Sequence, residues 1–176
     1  MEGSDLNIAI FGFMGVGKSS VGRLVAEALN MKFVDLDDTI VAAVGKGIPA
    51  IFRERGEAGF RELEKEVTGR ITALKNVVIA CGGGTVLDED NLEALRGNCR
   101  MILLTADPKT ILERVEINGD TRPLLGGEEK VEPITRLLRQ RKTRYYEAAD
   151  KVVDTSEKTQ ALVAREIIEY IAGVNE

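Results

Sequence analysis

Histidine is absent from this 176-residue chain, so any general base must be a carboxylate, a lysine, a tyrosine or a cysteine. Cysteine is scarce as well. The two present, Cys81 and Cys99, are too few and too unpatterned for a disulfide framework or a zinc site, and a reduced, cytoplasmic setting is expected. No stretch approaches the ~18 apolar residues that a membrane helix needs. The acidic start Met-Glu-Gly-Ser-Asp is not followed by the apolar run of a signal peptide. Basic residues are outnumbered, and a formal net charge of −5 argues against nucleic-acid binding. Internal repeats and low-complexity linkers are missing too. What remains is a soluble single domain over 1–176, 44% hydrophobic and 30% charged, long enough to bury its own core.

Short apolar runs alternate with longer amphipathic ones. Strands are expected at 7–11, 32–35, 77–80, 101–104 and 151–154. Helices are expected near 19–29, 38–74 (interrupted), 88–97, 107–117, 132–148 and 159–172. β-like runs separated by helices predict βαβ units and a parallel sheet. Val77-Val78-Ile79-Ala80 is wholly apolar, as a strand covered on both faces should be. Residues 118–131 break the pattern, with three glycines, a proline and no periodicity. So long a loop in a compact domain predicts a lid, with Arg122 at its centre.

Gly12-Phe13-Met14-Gly15-Val16-Gly17-Lys18-Ser19 fits G-x-x-x-x-G-K-[ST] throughout. The glycines let backbone N–H groups converge on phosphates that also sit at a helix N-terminus. Lys18 then reaches the β and γ phosphates, and the Ser19 hydroxyl can ligate Mg²⁺. Residues 7–11 read as the preceding strand, and Val21, Leu24, Val25, Ala28 and Leu29 continue at helical spacing. Gly15, Val16, Gly17, Lys18, Ser19 and Ser20 are therefore the candidate nucleotide ligands. A regulatory GTPase is disfavoured, because neither Asn-Lys-x-Asp nor Asp-x-x-Gly occurs.

Val34-Asp35-Leu36-Asp37-Asp38 follows the second strand, where an open parallel sheet faces its ligand crevice. If the chain stays extended, alternation sends Asp35 and Asp37 the same way. One carboxylate can serve Mg²⁺ and the other a substrate hydroxyl. Asp38 suits a helix cap, and Asp37 stays open between cap and ligand. The strand at 77–80 ends in Cys81 and three glycines, without an acidic residue, which favours Asp35 for the metal. Phe60, Leu63, Val67, Ile71 and Leu74 form an apolar stripe with Arg61 at its edge. Spacing leaves Arg61 open between a surface pair with Glu57 and a ligand-facing role. Arg141 says more. It stands on the row of Ile134, Leu137, Leu138 and Tyr145, where a guanidinium is costly unless an anion meets it. Arg136, Arg139, Lys142 and Arg144 suit a solvated basic face. Gly82-Gly83-Gly84 lets a ligand approach the backbone closely. Cys81 beside them reads as a small packed residue.

From about Asn7 to Ile171 these residues together resemble the shikimate kinase family. The matching pieces are residues 12–19, Asp35-Leu36-Asp37, Gly56-Glu57-Ala58-Gly59-Phe60-Arg61-Glu62-Leu63-Glu64, Gly82-Gly83-Gly84, Thr121-Arg122-Pro123-Leu124-Leu125, and Arg141 ahead of Tyr145. The resemblance implies a three-layer α/β/α P-loop kinase fold like that of nucleoside-monophosphate kinases. Its central sheet would be parallel and five-stranded, with a substrate-binding region near 36–64 and a lid near 118–131. It implies phosphorylation of shikimate by ATP and Mg²⁺ to give 3-phosphoshikimate and ADP, in aromatic amino-acid biosynthesis, by a cytoplasmic monomer. Asp37 corresponds to the residue on the acceptor hydroxyl, Arg61 and Arg141 to those on the carboxylate, and Gly83 to a backbone contact with substrate. Arg122 corresponds to the lid arginine on the phosphates, while Arg114 and Lys158 fall at adenine-side positions. Two departures stand out: Cys81 replaces the usual Thr or Ser, and the spacing from Arg114 to Arg122 varies in the family. The alternative is a P-loop kinase of another small acceptor such as gluconate. A non-catalytic relative is disfavoured by the intact Lys18, Ser19, Asp37 and Arg122.

Overall fold

The computed structural model describes residues 6–117 and 131–174. Five strands, β1 (Asn7–Phe11), β2 (Lys32–Asp35), β3 (Val77–Ala80), β4 (Cys99–Thr105) and β5 (Lys151–Asp154), form one parallel sheet in the order β2-β3-β1-β4-β5. All of β1 and β3 is buried, which is why both strands are so rich in Ile, Val and Ala. Edge strand β2 is only partly buried and starts on exposed Lys32. The expected strands recur with one extension. β4 starts at Cys99, which pairs with Asn7, and ends at Thr105, which pairs with Asp154.

Among the described residues seven helices connect and flank the strands: α1 (Lys18–Ala28), α2 (Leu36–Val44), α3 (Ile48–Thr72), α4 (Glu89–Asn98), α5 (Pro108–Ile117), α6 (Val131–Ala148) and α7 (Gln160–Val174). A 3₁₀ turn at Thr85–Leu87 precedes α4. The expected helical stretch 38–74 is α2 and α3, and α3 is broken again at Gly56. Right-handed crossovers put α1 on one face of the sheet and α3 and α4 on the other. Contacts agree, since α7 packs on α1 and α3 on α4. This is the three-layer α/β/α arrangement. Its centre holds Phe11, Phe13, Ile79, Met101 and Ile102, all within 1% of full burial. Burying each such side chain is worth about 1.5–3 kcal/mol. Leu74 leaves its expected stripe, because α3 ends two residues earlier and the side chain is 47% exposed. Among the described residues no helix is long and apolar enough to cross a membrane.

The register places the site. Ala80 pairs with Ile10 on one side and with Asp35 on the other, so the exits of β1, β3 and β2 lie side by side. The phosphate loop leaves β1 at Gly12, where a Cβ would stand 2.3 Å from the Leu104 carbonyl oxygen. No side chain fits there.

Candidate active site

An open cleft of about 670 Å³ lies over these strand exits, bordered by Lys18, Ser19, Asp37, Gly83, Arg114 and Lys158 among others. Gly15 (φ 75°) and Gly17 (φ 97°) take left-handed conformations that curl the loop towards a helix start. No side chain caps α1 and no acid occupies its first turn. The positive end of its dipole faces the cleft and suits an anion. The Lys18 ammonium donates to the carbonyl oxygens of Gly12 (2.8 Å) and Phe13 (2.9 Å), at the mouth of the loop.

Ser19 Oγ donates to Asp35 Oδ2 at 2.5 Å, which brings the two expected metal ligands together. A hydroxyl and a carboxylate are the hard oxygen donors Mg²⁺ takes, with water and phosphate oxygens completing its shell. Among the described residues no group of three or more acidic, Cys or His side chains is placed to hold a metal ion. One expectation is corrected here. Asp35, not Asp38, caps α2, its Oδ1 accepting from Asp38 N at 3.1 Å, while Asp38 is exposed. The chain turns helical at Leu36, so strand alternation does not govern Asp37. Asp37 lies in the first turn of α2, half-buried and facing the cleft.

The three glycines after β3 each make room for a different polar group. A Cβ at Gly82 would lie 3.1 Å from Glu64 Oε2 and 3.2 Å from Asp37 Oδ1. At Gly83 it would lie 3.4 Å from an Arg141 nitrogen, and at Gly84 only 2.7 Å from both terminal nitrogens of Arg61. Two arginines from different helices and a carboxylate from a third therefore converge on one loop. Arg141 stacks over Phe13 (5.5 Å to the ring centroid) and donates to Gly83 O at 3.4 Å. Tyr145 O–H donates to the same carbonyl. Burial raises the Tyr145 pKa, so the phenol stays protonated and acts as a donor. Among the described residues the hydrogen-bond partners of Arg141 are Gly83 O and Tyr145 Oη.

Arg61 does approach Glu57 (3.8 Å), but its shorter bond is to Glu64 at 2.9 Å. Glu64 is 1% exposed and was not singled out by spacing. The signal that marks Arg141 was available, since Glu64 stands on the row Phe60, Val67, Ile71 as Arg141 does on its own. Arg144 is a second correction. It does not belong to the solvated basic face: it pairs with Glu89 and donates to Val86 O (3.3 Å), tying α6 to the 3₁₀ turn and α4. Cys81 is buried, and burial pushes its thiol well above the ordinary range, which agrees with a packing residue.

On the nucleotide side, Arg114 donates to Thr155 Oγ1 (2.9 Å), Thr155 O (2.7 Å) and Gly15 O (3.2 Å). It thus joins the phosphate loop to the segment after β5. Lys158 borders the cleft while donating to Glu166 at 2.6 Å. Arg122 and the expected lid lie outside the described residues, apart from Val131 at the start of α6.

Comparison with known proteins yields a consistent picture. A family model described as Shikimate kinase matches residues 14–172. A shikimate kinase from Moorella thermoacetica is 44% identical over 165 residues, covering 94% of this chain and 94% of that one. A shikimate kinase from Acinetobacter baumannii, solved in complex with shikimate, superposes with a TM-score of 0.92 at 33% identity, over 98% of this chain and 96% of that one. A gluconokinase from Sinorhizobium meliloti 1021 matches at a TM-score of 0.59 and 18% identity, over 97% of this chain and 93% of that one. That last likeness is one of fold alone.

Proposed function

The chain belongs to the shikimate kinase family, and on that premise we infer how its own residues carry the γ-phosphoryl group of ATP to the 3-hydroxyl of shikimate. The products are 3-phosphoshikimate and ADP. One observation supports the residue roles above all others: Arg61, Arg141 and Asp37 meet at Gly82–Gly84, beside the phosphate loop. Shikimate is a ring bearing a carboxylate and hydroxyls. The two guanidiniums suit the carboxylate, and Asp37 then faces the hydroxyl nearest the phosphates. Gluconate kinase chemistry has only the shared fold in its favour.

Phosphoryl transfer depends on positioning and on neutralising charge spread over the transferring oxygens. The loop amides and the α1 N-terminus hold the phosphates, and Lys18 places its ammonium against them. Mg²⁺ would be held by Ser19 and Asp35, and when bound it neutralises phosphate charge. Arg61 and Arg141 fix the acceptor at one end so that the hydroxyl lines up at the other. Asp37 orients that hydroxyl and takes its proton. Arg114 and Lys158 border the nucleoside end. The two unpaired, buried cysteines suit a reducing cytoplasm.

A coupled ADP-release assay tests the assignment. Turnover should appear with shikimate and not with gluconate, and the reverse result would replace the acceptor. The clamp is tested separately. A hydrogen bond to a charged group is worth roughly 1.5–3 kcal/mol, so Arg141→Met should raise the shikimate KM about tenfold or more and leave the ATP KM nearly unchanged. Equal losses for both substrates would move Arg141 to the nucleotide side. Gly84→Ala should fold normally, since the neighbour it displaces is the end of a flexible side chain. It should still weaken shikimate binding, because Arg61 must leave its place. Unchanged shikimate binding would show that Arg61 acts from another position.

A further inference from the structure

The glycine turn after β3 disposes of its three carbonyls in two ways. Gly82 O accepts from Thr85 N (3.2 Å) and Gly84 O from Leu87 N (3.1 Å), so both are satisfied within the turn and the 3₁₀ segment after it. Gly83 O leaves the turn for α6. There the Tyr145 hydroxyl donates to it, and one Arg141 nitrogen stands at 3.4 Å. The same nitrogen lies 3.5 Å from Tyr145 Oη. Three polar atoms thus meet at one point, and the firm bond is the one from tyrosine to carbonyl. Both Arg141 contacts lie beyond the usual hydrogen-bond distance.

The tyrosine hydroxyl needs a reason of its own. Tyr145 is buried, with its ring set edge-on to Phe11 (centroids 6.0 Å apart, planes at 72°). A phenylalanine would make that packing equally well, and a buried hydroxyl is a cost unless a partner meets it. Gly83 O is that partner. If the hydroxyl were missing, Arg141 would be the donor left beside this carbonyl among the described residues. A guanidinium offers five N–H groups, and a hydrogen bond from a charged donor is the stronger kind. Arg141 would then close on the turn and spend donors there that an incoming carboxylate requires.

We propose that Tyr145 is a positioning residue for the acceptor site, whose hydroxyl takes up the Gly83 carbonyl and so keeps the Arg141 guanidinium open to the substrate carboxylate. The inference rests on the reading of Arg141 as half of the carboxylate clamp. Arg141 and Tyr145 are four residues apart on α6, so they share one face, and a helix rather than a loop sets the distance between them. Phe13 under the guanidinium (5.5 Å to the ring centroid) holds it by its charge and engages no N–H. The tyrosine bond also fixes the peptide between Gly83 and Gly84. That peptide is trans and planar, so with its oxygen held on α6 its N–H points away from α6. Burial keeps the phenol protonated, against the opposing pull of Arg141 and Arg61, so it remains a donor at neutral pH.

The test compares wild type, Tyr145→Phe, Arg141→Met and the double variant by kinetics in both substrates and by thermal melts. Tyr145→Phe keeps the ring and its contact with Phe11 and loses only the hydroxyl. It should raise the shikimate KM about three- to tenfold, the effect of one net hydrogen bond, with the ATP KM within about twofold. In the Arg141→Met background the same change should raise the shikimate KM by less than about twofold, because the group it protects is gone. An unchanged shikimate KM in Tyr145→Phe overturns the proposal. So does a rise in both KM values that tracks a fall in Tm, which is the mark of a merely structural residue. Equal effects in the two backgrounds overturn it as well, since the hydroxyl then acts without Arg141. An unchanged shikimate KM in Arg141→Met alone overturns the clamp, and that single variant tells this failure from the others.

Discussion

Lys18→Ala should lower kcat by at least about 10²–10³-fold, the loss seen when one preorganised stabilising donor is removed from a reacting centre, while circular dichroism shows an unchanged fold. Lys18 brings a full charge, so its removal should cost no less than a neutral donor. The structure shows what holds the side chain in place. Its ammonium spans the Gly12 and Phe13 carbonyls at 2.8 and 2.9 Å, holding both the loop and its own charge in place. A triphosphate entering the loop offers oxygens in exchange, and the charge then stands where negative charge accumulates during transfer. The residue is half-buried at the cleft rim, so in the alanine variant water can reach the released carbonyls and stability should fall little. Lys18→Arg should not restore activity. A guanidinium is a wide planar fork, and the loop closes around a point charge. Near-normal turnover in Lys18→Ala would place the phosphates somewhere other than this loop.

Much of this was legible in the residues because the signals are local. The phosphate loop is a contiguous string, and β1 and β3 are contiguous apolar runs. Arg141 could be found from one chain because a charge on an apolar helical row is a contradiction that only a partner resolves. Glu64 carries the same mark. Leu63 beside it also fits a helical stripe, so spacing does not choose between them, and the structure shows Glu64 buried and Leu63 at the margin. The cap of α2 was misplaced for a different reason. Asp35 ends a strand and caps a helix at once, so the chain leaves the strand one residue earlier than alternation would have it. Pairings across the fold had no local signal. Arg144 finds Glu89 across 55 positions, and nothing near either residue announces the other. The outer residues of β4 are also set by neighbours, Asn7 and Asp154, rather than by their own polarity.

Asp37→Asn should cut kcat by about 10²–10⁴-fold, the usual contribution of a positioned base. A loose transition state asks little proton removal early on, which places the loss towards the lower end. The choice of Asp37 follows from what its neighbours are already doing. Asp35 accepts from Ser19 and from the Asp38 amide, and so serves the metal side and the helix cap. Glu64 is closed off beneath the loop, engaged by Arg61 and Thr85. Asp38 points to solvent, next to Arg23 at 3.9 Å. Asp35, Asp37 and Asp38 all line the cleft, and Asp37 is the one of the three whose carboxylate stands against Gly82, 3.2 Å from where a Cβ would be. Asparagine keeps a hydrogen bond to the hydroxyl, so shikimate KM should change less than kcat. If Asp37→Asn keeps its full rate while Asp35→Asn loses it, the two aspartates have exchanged roles, and the hydroxyl must sit nearer to Ser19 than to Gly82.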